Sequence, residues 1–388
     1  MTREMSRIVA AALGGVLLMP AAALAQVPEG AALPTAEEHP TATLPEASPH
    51  WVYILEPVFP HLITTKVWIV DGDSLEVVGM INGGYTANLG LADGSKLYMA
   101  ETFWSRGSRG DRTDVVTTFD GRTLDPTGEV PLPQGRFLVV PKKYDAVLTT
   151  DGRYMLSFNM DPATSVSVVD VENQSYLTDI ETPGCGLIFP SAPRRFSMIC
   201  ADGSMLTVSF DESGQAETTR SEPFFDAEND PVFEHPGFST HEGQAYFVSY
   251  RGMVYPVDLS GDEPQFGEPW SLLAEDEEGH WWPGGWQVAA YHPGSNRLFV
   301  NMHEGTMWTH KHAGEEVWVF DLESNERLER IPTEHGAFSS IVTQDEEPLL
   351  FTLSETQTIS VFDGASYEHK GDVGQLGISP YVLYVTGE

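Results

Sequence analysis

Cysteine is nearly absent from this chain: Cys185 and Cys200 are the two among 388 residues, and they do not form a redox-type Cys-x-x-Cys pair. Basic residues are scarce too, 21 Lys and Arg against 57 Asp and Glu, for a formal charge of −36. Such a surface repels nucleic acid and favours cationic ligands or basic partner patches. Long apolar runs are missing beyond Ile8 to Met19, which is too short to cross a membrane. There is no long amphipathic helical pattern. The motifs of common chemistries are also missing: no Gly-x-Ser-x-Gly, no supported Ser-x-x-Lys, no His-Glu-x-x-His and no phosphate-binding glycine loop. Residue chemistry therefore nominates no catalytic group and no metal site on this chain.

What is present is repetition. A β-branched and aromatic run closed by an acidic turn, first seen as Lys66-Val-Trp-Ile-Val-Asp71, returns at Asp120, Asp170, Asp211, Asp258, Asp321 and Asp363, at intervals of 41 to 63 residues. Between these runs lie further short strands, such as Leu97-Tyr-Met-Ala100 and Arg297-Leu-Phe-Val300, separated by Asp-Gly, Pro and Ser turns. Each unit has the content of one four-stranded blade, and seven units predict an all-β, seven-bladed β-propeller. Identical placement in every unit marks the aspartates as turn caps, not as a site. A ring must close, since an open edge strand invites aggregation. Trp51-Val-Tyr-Ile-Leu55 and Tyr381-Val-Leu-Tyr-Val385 are expected to pair in one composite blade that also holds the Asp71 run.

Residues 1–25 read as a signal peptide: Arg3 and Arg7, an apolar stretch, then Ala23-Leu-Ala25. Residues 26–49, rich in Ala, Pro, Glu and Thr, read as a flexible arm, and 50–388 as the propeller. In the oxidising compartment that the signal peptide implies, Cys185 and Cys200 are expected to pair, and closing a loop of about 15 residues contributes roughly 3 kcal/mol.

The longest interval, Asp258 to Asp321, carries Glu275-Asp-Glu-Glu278 followed by His280-Trp-Trp-Pro-Gly-Gly-Trp286. Trp281, Trp282 and Trp286 flank a Pro-Gly-Gly turn that breaks a strand ladder, which leaves an interface role and blade-to-blade packing both open. His292, His303, His310 and His312 fall close in sequence, but their irregular spacing is not that of a metal site.

Several stretches resemble the heavy subunit of the methylamine dehydrogenase and aromatic amine dehydrogenase family. They are Val70-Asp-Gly-Asp73 leading to Val78-Gly-Met-Ile-Asn-Gly-Gly84, Trp104-Ser-Arg106 with Arg109-Gly-Asp-Arg-Thr-Asp114, and Cys185-Gly-Leu-Ile-Phe-Pro-Ser-Ala-Pro193. Further on come Trp282-Pro-Gly-Gly-Trp-Gln287, His310-Lys311 and Gln344-Asp-Glu-Glu-Pro-Leu-Leu350. The resemblance implies a propeller that pairs with a small, cysteine-rich light subunit in a heterotetramer of two heavy and two light chains. It implies that tryptophan tryptophylquinone, made on the light subunit, oxidises a primary amine, with electrons passing to a periplasmic blue-copper protein or cytochrome c. The heavy chain would then hold no cofactor of its own and would sit in the periplasm.

By the same resemblance, the aromatic residue after Gly83-Gly84, here Tyr85 where relatives carry Phe, reaches toward the substrate channel. Trp281, Trp282, Trp286, His310 and Lys311 become candidates for the light-subunit interface. The stretches between Asp211 and Asp258 and from Met302 to Trp308 match the family pattern poorly. Two rival readings remain: a stand-alone, lactonase-like propeller hydrolase with a polar or metal-binding cluster at its central opening, and a scaffolding propeller without a catalytic partner.

Overall fold

The computed structural model describes residues 42–388 apart from 134, 139 and 275–278. The stretch 1–25, read as a signal peptide, and Glu275-Asp-Glu-Glu278 lie outside the described residues. Of the arm at 26–49, residues 42–49 are described. Leu44 packs against the core shared by the first two blades, and its amide donates to Arg122 O at 2.8 Å.

Seven antiparallel sheets of four or five strands follow one another along the chain as the blades of a β-propeller. Blade 2 is the simplest: Tyr85–Leu91 innermost, then Lys96–Trp104, Arg112–Asp120 and Pro126–Leu132 outermost. Neighbouring blades cover the middle strands on both faces, so those strands read as continuous apolar runs. Trp51–Glu56 and Ser165–Asp170 are buried along their whole length. Outer strands escape this cover, and Ala216–Arg220 is exposed throughout. Core clusters accordingly lie between blades. One joins Val52, Ile54 and Val70 of blade 1 to Leu349, Phe351 and Val361 of blade 7.

The ring closes as expected. Val382–Tyr384 pairs with Trp51–Glu56, with Tyr53 opposite Tyr384 and Leu55 opposite Val382, inside the sheet that also holds Thr65–Asp71. The seven recurring aspartates stand at the end of the third strand of each blade, Asp211 one residue beyond it, and cap the turn that follows. Asp120 Oδ1 accepts from the amides of Arg122 and Thr123 at 2.9 and 2.8 Å, and Asp321 Oδ1 from those of Glu323 and Ser324, both at 2.9 Å. Those amide bonds hold both carboxyls below the usual range.

The residue four places after the aspartate adopts a left-handed conformation in several blades, as at Leu75, Leu124 and Gln174. Its side chain fills a slot on the outer strand of the preceding blade where a glycine leaves room: Leu75 at Gly371, Leu124 at Gly79, Gln174 at Gly128. A β-carbon there would collide with the inserted side chain, 2.9 Å from Leu124 Cδ1 in the case of Gly79.

Cys185 and Cys200 form a disulfide across the two inner strands of blade 4, where they stand directly opposite each other. At the seam between blades 1 and 7, His50 Nδ1 lies 2.8 Å from Asp73 Oδ2 and Nε2 lies 3.0 Å from Asp345 Oδ2. Both ring nitrogens can donate to carboxylates only as imidazolium. Burial opposes that charge, but Asp73 and Asp345 outweigh it and raise the pKa above its ordinary 6.5. The stabilisation is thus fully present below about pH 6.5 and fades as pH rises through the folded-state value. His50→Gln should cost about 1 kcal/mol at mildly acidic pH and little at alkaline pH, beyond the folded-state value. Thermal unfolding of the pair at both pH values checks this, and an equal loss at both would remove the seam's charge dependence.

Candidate functional site

Each inner strand runs from one end of the ring to the other. Residues that lead into inner strands, and the turns between second and third strands, therefore share one end, here termed the leading end. Tyr85 opens the inner strand of blade 2, and the segments before the other inner strands bring Tyr381, Lys143, His235, Trp286 and Phe338 to the same end. The turn of blade 6 between Arg297–Glu304 and Gly314–Asp321 adds His310 and Lys311.

These groups form an aromatic layer across the axis. Ring centroids are 5.4 Å apart for Phe59 and Tyr381, 5.3 Å for Tyr381 and Trp286, 5.8 Å for Trp286 and His235, and 6.0 Å for His235 and Tyr144. Lys311 Nζ stands 4.5 Å over the Trp286 ring, and His310 stacks on Tyr250 at 4.1 Å. His235 is buried between two backbone groups: its Nδ1–H donates to Trp286 O at 3.0 Å, and Nε2 accepts from the Lys143 amide at 3.2 Å. Burial pushes its pKa down to about 3, so the ring is neutral. Tyr381 donates to Pro141 O, and Lys143 pairs with Glu388. The Gln287 side chain accepts from Leu383 N at 2.6 Å and donates to Leu383 O at 2.9 Å, tying the approach to blade 6 to the closing strand.

Among the described residues, ten large hydrophobic side chains are exposed. Seven of them, Phe59, Ile63, Phe103, Met160, Met307, Trp308 and Ile378, lie in loops or strand ends at the leading end. Trp308 is the most open, 58% exposed, in a left-handed conformation beside Tyr250 and His310. Partner proteins cover exposed apolar surface, and this end holds seven of those ten side chains.

The local backbone explains Tyr85. A β-carbon on Gly84 would lie 2.5 Å from Thr102 O, and one on Gly83 would collide with Met99 Cε, so the two glycines let this corner close against the second strand. The pairing shifts register between Tyr85 and Asn88, which makes a bulge, and Thr86 sits at φ 40° within it. The Gly84 amide donates to Glu101 Oε2 at 2.6 Å, and the Ala87 amide to Thr65 Oγ1 at 2.9 Å. Arg136, fully buried, donates to Thr86 O at 2.5 Å, to Asn88 Oδ1 at 2.9 Å and, at 3.4 Å, to Tyr85 O. Burial pushes its pKa down to about 10 against the pull of Asp114, Asp145 and Glu101, so it stays charged at neutral pH.

The structure thus places Tyr85, the three tryptophans, the histidines and Lys311, but not all together. Lys311 meets Trp286, while the His310 ring lies against Tyr250 and Trp308. The Gly285 amide donates to His310 O at 3.0 Å. Trp281 packs sideways against Trp318 at 5.2 Å, under the Arg330 guanidinium, and Trp282 is half-buried with no hydrogen-bond partner for its indole nitrogen. Tyr85 is half-buried on blade 2. His303 binds Thr309 Oγ1 at 2.8 Å and His292 caps a short 3-10 turn. Among the described residues, no three His, Cys, Asp or Glu side chains converge as a metal site would. Sequence reasoning passed over Arg136, Glu101, Phe59, Met307 and Trp308. The pair Met307-Trp308 in a turn between strands was the legible sign.

At the opposite end a funnel of about 1120 Å³ opens between Tyr98, Arg195 and Phe238, with Lys143 and Glu388 among its lining residues.

Fold and site together describe a β-propeller that carries most of the exposed large apolar side chains of its described residues at one end. The family model for the methylamine dehydrogenase heavy chain matches residues 48–387. The methylamine dehydrogenase heavy chain of Paracoccus versutus is 36% identical over 336 residues, covering 86% of this chain and 78% of the relative. That of Methylobacillus flagellatus is 33% identical, covering 85% and 83%. The chain belongs to the methylamine dehydrogenase heavy chain family. Among solved structures, a dihydro-heme d1 dehydrogenase (TM-score 0.56, 16% identity, 90% of this chain and 78% of that one) shares the fold. So does a Lactobacillus plantarum protein (0.57, 11%, 86% and 98%).

Proposed function

We propose that the chain is the large, non-catalytic subunit of an exported quinoprotein amine dehydrogenase. The complex converts a primary amine and water to an aldehyde and ammonia, releasing two electrons and two protons. The electrons pass to a blue-copper protein or cytochrome c. Tryptophan tryptophylquinone, carried by the small subunit, supplies the oxidation chemistry. This chain docks that subunit on its leading end, excludes water around the substrate and lines its path with Tyr85. Two heavy and two light chains make up the assembly, delivered to the periplasm by the segment 1–25. The observation that carries the reading is the gathering of exposed apolar side chains at the end where Tyr85 opens its blade. Family membership supports an amine dehydrogenase subunit. The charge of −36 suits a cationic alkylammonium substrate, within a Debye length of about 10 Å.

Purification from the native host tests the reading, since a small subunit with quinone absorbance should co-elute with the chain. Tyr85→Ala should change the ratio of kcat/KM between short aliphatic and aromatic amines by roughly tenfold, the scale of a lost contact to one substrate and not the other. Unchanged ratios across the amine series would remove Tyr85 from the channel.

A further inference from the structure

The Tyr85 corner is held by charges from elsewhere in the fold. Thr86 is β-branched and left-handed, a conformation that persists only where the surroundings impose it. Arg136 imposes it from the short strand Gly135–Arg136 on the inner edge of blade 3. Its guanidinium reaches Tyr85 O, Thr86 O, Asn88 Oδ1 and, at 3.2 Å, Thr102 Oγ1. Glu101, buried on the second strand, takes the Gly84 amide on one carboxylate oxygen and the Thr117 hydroxyl on the other. A buried charge is costly to keep without full pairing. Here much of the pairing falls on the backbone of a single bulge. An ion pair that merely stapled two blades would need no such aim, and a planar fork is what bridging two successive carbonyls requires.

We propose that Arg136 and Glu101 are specificity-positioning residues: they lock the Gly84–Ala87 bulge from which Tyr85 projects, so amine preference is set through them. This rests on the reading of Tyr85 as a channel residue, and the experiment separates the two. Tyr85→Ala, Arg136→Gln, Arg136→Lys, Glu101→Gln and the double variant Arg136→Gln/Tyr85→Ala are made in the assembled complex. Each is assayed with a short alkylamine and an arylalkylamine, and amide hydrogen exchange is followed over residues 84–87. Arg136→Gln should move the kcat/KM ratio in the same direction as Tyr85→Ala, by at least about threefold, mostly through KM. It should also speed exchange at 84–87. Arg136→Lys, which keeps the charge but not the fork, should fall between. The double variant should move the ratio no further than Tyr85→Ala alone.

If Tyr85→Ala shifts the ratio and Arg136→Gln does not, the positioning role is overturned while the channel reading stands. If Tyr85→Ala leaves the ratio unchanged, the channel reading falls and the positioning role with it. Should Arg136→Gln fail to assemble, Glu101→Gln carries the same comparison, because it keeps the size of the side chain and removes one acceptor.

Discussion

Replacing Trp308 with glutamate is expected to separate this chain from its small subunit while leaving the ring folded. The side chain is 58% exposed, so the isolated chain should change in stability by no more than about 0.5 kcal/mol. On docking, the indole would be buried beside Tyr250 and His310, and aromatic anchors of that kind contribute about 2 kcal/mol or more. A carboxylate left without a partner in the same place adds a desolvation cost. Together these should weaken association at least about 30-fold. Gel filtration of the tagged complex and amine-dependent dye reduction at low protein concentration both read the effect. An unchanged dissociation constant would move the docking surface away from the leading end, since Trp308 is its most exposed apolar group.

The second large effect is expected from a single methyl group. In Gly84→Ala the new β-carbon would stand 2.5 Å from Thr102 O and 3.0 Å from Phe103 Cε1. The nearer atom belongs to backbone in a paired strand and cannot swing aside. The corner must open, which costs about 1–3 kcal/mol in overpacking and pulls the Gly84 amide off Glu101. Stability should fall by that amount, and amine selectivity should move with it, because Tyr85 is the next residue. Gly374→Ala is the control. Its β-carbon would meet Thr358 Oγ1 at 3.8 Å and nothing nearer, so the change should be within about 0.5 kcal/mol. Equal behaviour of the two variants in denaturant titrations would show that the corner tolerates a side chain.

The ring was legible because its signals repeat. Seven aspartates cap seven turns, and apolar runs fill strands covered on both faces, so one phrase read correctly in one blade served for all. The composite blade was legible from two apolar segments with no other partner near the chain's extremities. Cys185 and Cys200 could be paired because no other thiol competes. Arg136 was hidden for the opposite reason. It is a lone arginine in Pro133-Gln-Gly-Arg136, 50 residues after Thr86, and nothing periodic links them. The left-handed residues of the blade turns escaped notice too. Leu75 and Leu124 are not turn formers, and their conformation follows from the slots they fill on neighbouring blades. The extra length between Asp258 and Asp321 was visible. Its use was not: the chain makes a short strand at Trp281–Pro283, then brings Trp286 onto the axis.

The composite blade also sets a timetable. A ribosome delivers Trp51–Glu56 some three hundred residues before Val382–Tyr384 exists to pair with it. Six blades have their strands in hand by then, while the first must wait with one flank bare. The circle can be completed only once Val382–Tyr384 has been made, so a chain interrupted near residue 380 would own almost the whole core and still lack the strand that turns an arc into a wheel.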